Sequence, residues 1–125
     1  MGDGLDDLLV YQKALDAERA IVAILERPAL RKFPELRQQM DDASARVATH
    51  IREGHGLKTD RHFAHLVFSA RGEAQEMCGH LSSAHVRGCI SREEWRDLSG
   101  RYQEIAKMAT GLARHLQRED RKFRA

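Results

Sequence analysis

Proline occurs only twice in these 125 residues, and aromatic side chains make up 6%. A chain so poor in breakers and in strand-favouring aromatics points to helix rather than sheet. Cysteine is also scarce. Cys78 and Cys89 stand alone, form no zinc signature and are expected as reduced thiols. No apolar run approaches the ~20 residues that span a bilayer, so no membrane partner is expected. The start, Met1-Gly2-Asp3-Gly4, is acidic and lacks the basic segment and apolar core of a secretory signal. The expected location is therefore cytoplasmic.

Chemistry-bearing motifs are missing as well. Helical bundles that hold two iron ions use carboxylates together with Glu-x-x-His, and this sequence has neither that motif nor His-Glu-x-x-His. His62 and His65 lie three apart, but no carboxylate shares their face at ligand spacing. Gly54-x-Gly56 is too short for a phosphate-binding fingerprint, and no serine or cysteine has a partnered base. The expectation is a protein with no catalytic residues, no cofactor and no metal.

Charge and helical periodicity are present in quantity. Hydrophobic residues are 42% and charged residues 32%, the balance of a globular protein, and the length suits one domain over residues 1–125. The net charge is +2, a mild basic excess that does not by itself imply nucleic acid. It is unevenly placed: Asp3, Asp6 and Asp7 lie in residues 1–7, whereas Arg114, Arg118, Arg121, Lys122 and Arg124 outweigh Glu119 and Asp120 near the end.

Four helices can be read from spacing. The first runs from Leu5 to Glu26, with an apolar arc (Val10, Tyr11, Ala14, Leu15, Ala17, Ile21, Val22, Ile24, Leu25) wide enough for two neighbours. Glu18 falls inside that arc, either at its wet margin or beside an arginine. Pro28 interrupts the chain, and Pro34 opens a second helix that Gly54 should stop near Glu53. Thr59 is a good cap for a third helix, to about His85. Its stripe is Phe63, Val67, Ala70, Ala74, Met77, Leu81 and Ala84. Ser91-Arg92-Glu93-Glu94 is a capping box opening a fourth helix, to about Glu119. Its stripe is Trp95, Leu98, Tyr102, Ile105, Ala109, Leu112 and Leu116. Short connections then imply an all-α, antiparallel up-down-up-down four-helix bundle. Leu98, Ile105, Leu112, Val67, Met77 and Leu81 should be buried between the last two helices. His50, on an apolar stripe, is expected as a hydrogen-bonded core histidine, and Glu53 as a residue that holds the turn or meets an arginine.

Two surfaces stand out as functional candidates. With Phe63 set on the core, His65, Phe68, Gly72, Gly79 and Ser83 fall on the opposite side of the third helix. Glycine inside a helix costs about 1 kcal/mol relative to alanine, and close approach of another helix would account for two of them. This side is the expected contact between subunits. The basic end, through Arg118, Arg121, Lys122 and Arg124, is either a phosphate-binding surface for RNA or DNA or a solvated helix end whose cations suit the dipole.

The stretch Val47-Ala48-Thr49-His50-Ile51-Arg52-Glu53-Gly54-His55-Gly56, followed by Thr59, Phe63, Leu66, Ala70, Gly72 and Glu76, resembles a known bacterial family of four-helix bundles. That family includes proteins encoded in intervening sequences of 23S ribosomal RNA genes. Leu9-Val10-Tyr11-Gln12-Lys13-Ala14-Leu15, Lys32-Phe33-Pro34 and Ile90-Ser91-Arg92-Glu93-Glu94 also resemble it, so the likeness covers nearly the whole chain in order. Departures are His50 for the family asparagine, Leu57 for the arginine after the second glycine, His62 for a glutamate and Glu73 for a serine. The family is similar to an accessory protein of diversity-generating retroelements, a basic pentameric barrel that associates with nucleic acid and a reverse transcriptase. The resemblance implies a homopentamer and no established biochemical activity. The reading it supports is a non-enzymatic oligomer that presents a surface, to RNA or DNA. The alternative is a scaffold or adaptor for a protein partner without nucleic acid.

Overall fold

The computed structural model describes residues 4–124. Asp3, counted above in the acidic start, and the two extremes of the 1–125 domain lie outside them. A 3-10 turn, Leu5–Asp7, precedes five helices: α1 (Leu9–Leu25), α2 (Pro28–Arg31), α3 (Pro34–His55), α4 (Asp60–Val86) and α5 (Arg92–Arg124). No strand occurs among the described residues.

The four long helices form an antiparallel bundle. α4 packs along both α3 and α5, and α1 closes the square against α3 and α5. Cross-links fix the directions. Arg52, near the end of α3, donates to the Tyr11 hydroxyl near the start of α1 at 3.0 Å. Lys13 of α1 meets Glu104 of α5 at 3.1 Å.

Most element boundaries follow the sequence expectations, and the differences have local causes. The first helix starts at Leu9 rather than Leu5, because Leu8 is extended and the Gln12 amide donates back to the Asp6 carbonyl. Pro28 does end α1, but it also opens the one-turn helix α2, where its missing N–H would be unpaired in any case. Gly54 does not stop α3. It is a buried helical position, and the chain turns at Gly56. A Cβ at Gly54 would sit 2.8 Å from Phe63 Cδ1 and 3.2 Å from Leu66 Cβ. This glycine serves the close crossing of α3 and α4. α5 runs to Arg124, beyond the expected Glu119.

The core follows the stripes. Leu98, Ile105, Val67, Met77 and Leu81 are buried, as are Tyr102, Ala109 and Leu116. Leu112 is corrected: it is half-buried, and Ala113 takes the place on the seam. Val22, counted in the arc of the first helix, is exposed. The lower part of the α4–α5 seam (Ala64, Val67, Ala109, Ala113 and Leu116) is a separate small cluster, backed by Phe63, Phe68 and Leu112.

Helix ends are capped as the sequence implies. The Thr59 hydroxyl accepts from the His62 N–H. Ser91 and Glu94 satisfy each other's backbone donors at 2.9 and 3.1 Å. Glu94 is also gripped by both terminal nitrogens of Arg27, from the connection after α1. This ties the top of α1 to the start of α5. The guanidinium, together with the Ser91 N–H, lowers the Glu94 pKa to about 2.

Two tests follow from this packing. Gly54→Ala should destabilise the protein by about 1–2 kcal/mol through overpacking, whereas Gly100→Ala, where a Cβ meets nothing within 4 Å, should stabilise it by about 0.5–1 kcal/mol. Denaturant titrations giving both variants the same sign would contradict the close crossing. Glu94→Ala should cost about 1–3 kcal/mol at pH 7, a range that allows for solvent reaching a third of that side chain. A depressed carboxyl pKa stabilises above the ordinary carboxylate range, so this cost should shrink as pH falls from about 4.5 toward 2. Melting curves across that window check the sign.

Candidate functional site

The outer face of α4 is set by the two helices that flank it. Arg71 donates to Thr110 of α5 on one side, and Glu73 faces Arg46 of α3 on the other. Between these flanks, His65 and Gly79 are exposed, and Gly72 and Ser83 are partly so. A Cβ on Gly72 or Gly79 would meet nothing within 4 Å. Neither glycine is required by packing inside the subunit. Phe68 sits at the edge of this face. It is half-buried against the small α4–α5 cluster, with the Arg71 guanidinium 4.7 Å from its ring centroid.

The C-terminal cations are brought to one end of the bundle, beside the α3–α4 turn. Two adjoining grooves form there, of about 400 and 480 Å³. Arg61, His65, Phe68 and Arg121 line the first, and Lys58, His62, Phe123 and Arg124 the second. The four tail residues are not equivalent. Lys122 is paired with Glu119 at 3.2 Å and Arg124 with Asp120 at 3.1 Å. Arg118 and Arg121 are exposed and make no ion pair among the described residues, and Lys58 and Arg61 share that condition. Asp6 and Asp7 pair with no cation among the described residues either. Phe123 is 89% exposed. The up-down-up-down order expected from the sequence puts the α3–α4 turn and the C-terminus at one end, and Lys58, Arg61 and His62 do join the tail there.

Inside the bundle, several polar groups lack partners among the described residues: His50 Nδ1, Arg71 Nε, Glu73 Oε2, Ser99 Oγ and the Tyr102 hydroxyl. His50 therefore departs from the expected hydrogen-bonded core histidine. It is half-buried and lies close to the Glu73 carboxylate. Burial raises the Glu73 pKa, and neighbouring Glu76 adds to the rise. Glu53 is exposed and makes no ion pair among the described residues. Its backbone carbonyl accepts from Gly56, so it holds the turn through the main chain. Glu18 does face Arg52, but burial outweighs that cation and raises its pKa. Cys78 and Cys89 are unbridged, and burial raises the Cys78 pKa, away from the thiolate needed for nucleophilic work. No three histidine, cysteine or carboxylate side chains converge at metal-binding distance among the described residues. Among the described residues, no helix is long and apolar enough to cross a membrane.

The chain matches the family model described as 23S rRNA-intervening sequence protein over residues 6–111 and belongs to that family. A solved structure with the same fold is a protein of unknown function from the S23 ribosomal protein family of Bacteroides thetaiotaomicron. It is 20% identical, and the alignment covers 84% of this chain and 98% of that one with a TM-score of 0.76. No curated protein matches the chain.

The buried carboxylate supplies a test. Glu73→Gln should stabilise the protein at pH 7 by up to about 1 kcal/mol, since it removes a charge that burial disfavours. A raised carboxyl pKa means that stability is lost as pH rises through it, so the advantage should vanish below the ordinary carboxylate range. Thermal melts of both proteins at pH 4 and pH 7 decide it. A destabilised variant at pH 7 would mean that the Arg46 pair outweighs desolvation.

Proposed function

We propose that this member of the 23S rRNA-intervening sequence protein family is a non-enzymatic, cytoplasmic homo-oligomer that presents the basic end of each bundle to RNA or DNA. The outer face of α4 carries the assembly reading. Gly72 and Gly79 lie two turns apart in the middle of a 27-residue helix, and neither has a neighbour within the subunit. Each costs about 1 kcal/mol relative to alanine. A second helix lying across the gap, over His65, Phe68, Gly72, Gly79 and Ser83, recovers that cost in close backbone contact. A five-fold ring is what the family resemblance implies.

Nucleic-acid binding is supported by the basic end. Arg118 and Arg121 are free to meet phosphates, and Lys122 and Arg124 join them by exchanging internal partners for external ones. A ring multiplies this surface, since avidity grows when linked sites engage together. No cofactor or metal enters this reading. A second reading, a scaffold for a protein partner without nucleic acid, is favoured by the exposed Phe123 and Leu57 at the same end.

Mass measurement of the native assembly, with and without nuclease, tests both parts. The wild type should be a pentamer, and Gly72→Leu with Gly79→Leu should reduce its mass while leaving its helical signal. A monomeric wild type, or a double variant of unchanged mass, removes the assembly reading. Truncation after Gln117 should weaken RNA and DNA binding, steeply so with added salt. Equal binding by the truncated chain would make the tail a solvated helix end.

A further inference from the structure

We infer that the outer face of α5, over nearly its whole length, is a track for the phosphate backbone of double-stranded nucleic acid. This rests on the reading that the protein meets nucleic acid, and it moves the site from the tail to the helix. At about 100° per residue, Arg92, Arg96, Lys107, Arg114, Arg118 and Arg121 fall within one arc of roughly 100°. That arc is opposite the buried stripe of Leu98, Tyr102 and Ile105. All six cations are exposed, and none makes an ion pair among the described residues.

The carboxylates of α5 are sorted away from this arc. Asp97 is held by Arg101, Glu104 by Lys13, Glu94 by Arg27, Glu119 by Lys122 and Asp120 by Arg124. Glu93, beside Arg92 at the margin, is the carboxylate of this helix that makes no ion pair among the described residues. The remaining positions on the arc are Gly100, Gln103, Gly111 and, level with Arg92 at its edge, Thr110, which is half-buried under Arg71. Both glycines are exposed, and a Cβ at either meets nothing within 4 Å. Folding gains nothing from this pattern. Like charges at Arg92 and Arg96, and at Arg114, Arg118 and Arg121, repel at helical spacing, and interior glycines weaken the helix. A polyanion reverses both effects: it neutralises the row and can approach closely where side chains are missing.

The geometry favours a duplex. From Arg92 to Arg121 the helix rises about 44 Å at 1.5 Å per residue. The two clusters of arginines are centred roughly 36 Å apart, close to one turn of B-form DNA. No aromatic residue lies on the arc, so there is no platform on which single-stranded bases would stack. An anionic membrane is the less suitable polyanion. Surface helices insert apolar side chains beside their cations, and the exposed Phe123 of α5 lies well off the arc.

Fluorescence anisotropy with labelled 20-base-pair RNA and DNA duplexes, the matching single strands and phosphatidylserine vesicles tests the track. Arg96→Glu with Lys107→Glu lies outside the tail and away from the core. It should weaken duplex binding at least tenfold, and the neutral pair Arg96→Gln with Lys107→Gln should lower the salt-dependence slope by about two. Arg96→Lys with Lys107→Arg should bind like the wild type, and all three should melt no lower than the wild type. Binding that survives Arg96→Glu with Lys107→Glu but is lost on truncation after Gln117 overturns the track while leaving the function proposed above. A preference for single strands, or binding to vesicles in place of duplexes, overturns it also. Failure to bind any nucleic acid overturns the track and the nucleic-acid reading together.

Discussion

The seam between α4 and α5 is the constraint on which the rest of the structure depends. α4 offers Val67, Met77 and Leu81 separated by Ala64, Ala70, Ala74 and Ala84, and α5 answers with Leu98, Tyr102, Ile105, Ala109 and Ala113. The many alanines let the two backbones approach, and the larger residues fill what remains. α1 has only 17 residues against 33 in α5, so it covers only part of the pair. Over the lower stretch, α4 and α5 pack on each other in the small cluster that includes Leu116, with only the end of α3 reaching it at Phe63. The basic grooves lie at this end because the hairpin outruns the helices that cover it.

Electrostatics sorts the surface that packing leaves. Arg27 and Glu94 join α1 to α5 at one end, and Glu26 holds both Arg31 and Arg37 around the α1–α3 connection. These pairs lie where chain segments must be kept together. Along α5 every carboxylate but Glu93 is matched with a cation, on a neighbouring segment or on α5 itself. The cations left over are therefore not scattered. Exposed pairs of this kind contribute little to stability singly, so their larger effect is to decide which charges remain available to something outside the chain.

Much of this was legible in the sequence. The 3- and 4-residue steps of α4 and α5 specify a fixed helix face and hence the seam, and Thr59 and Ser91 mark helix starts because their hydroxyls have donors to satisfy. Gly54 was misread because glycine serves two purposes: it ends helices, and it also lets helices cross. Only the position of Phe63 across the crossing, a tertiary fact, tells the two apart. Leu112 and Ala113 exchanged places because a stripe can drift by one residue over a long helix without any change in pattern. The free state of Arg118 and the paired state of Lys122 were not readable either, since both are basic residues in a basic tail. Charge spacing on α5 was open to inspection from the start, but its meaning depended on knowing which arc faces outward and which carboxylates are engaged.

The two candidate surfaces do not compete for the same residues. The outer face of α4 carries Gly72, Gly79 and Ser83, with Arg61 and Glu76 as its charges. The outer arc of α5 carries cations with Gly100 and Gly111 between them. Glycine has the same physical effect in both, opening a helix to close approach, but the surroundings select different visitors. Beside His65 and Phe68, a gap suits another helix, whose own backbone is electrically neutral along its side. Beside six unmatched cations, a second copy of the same face would be repelled, and only a polyanion gains by entering. The proposed association through α4 would leave most of the α5 arc open, and each added subunit would then bring another cationic track to the assembly.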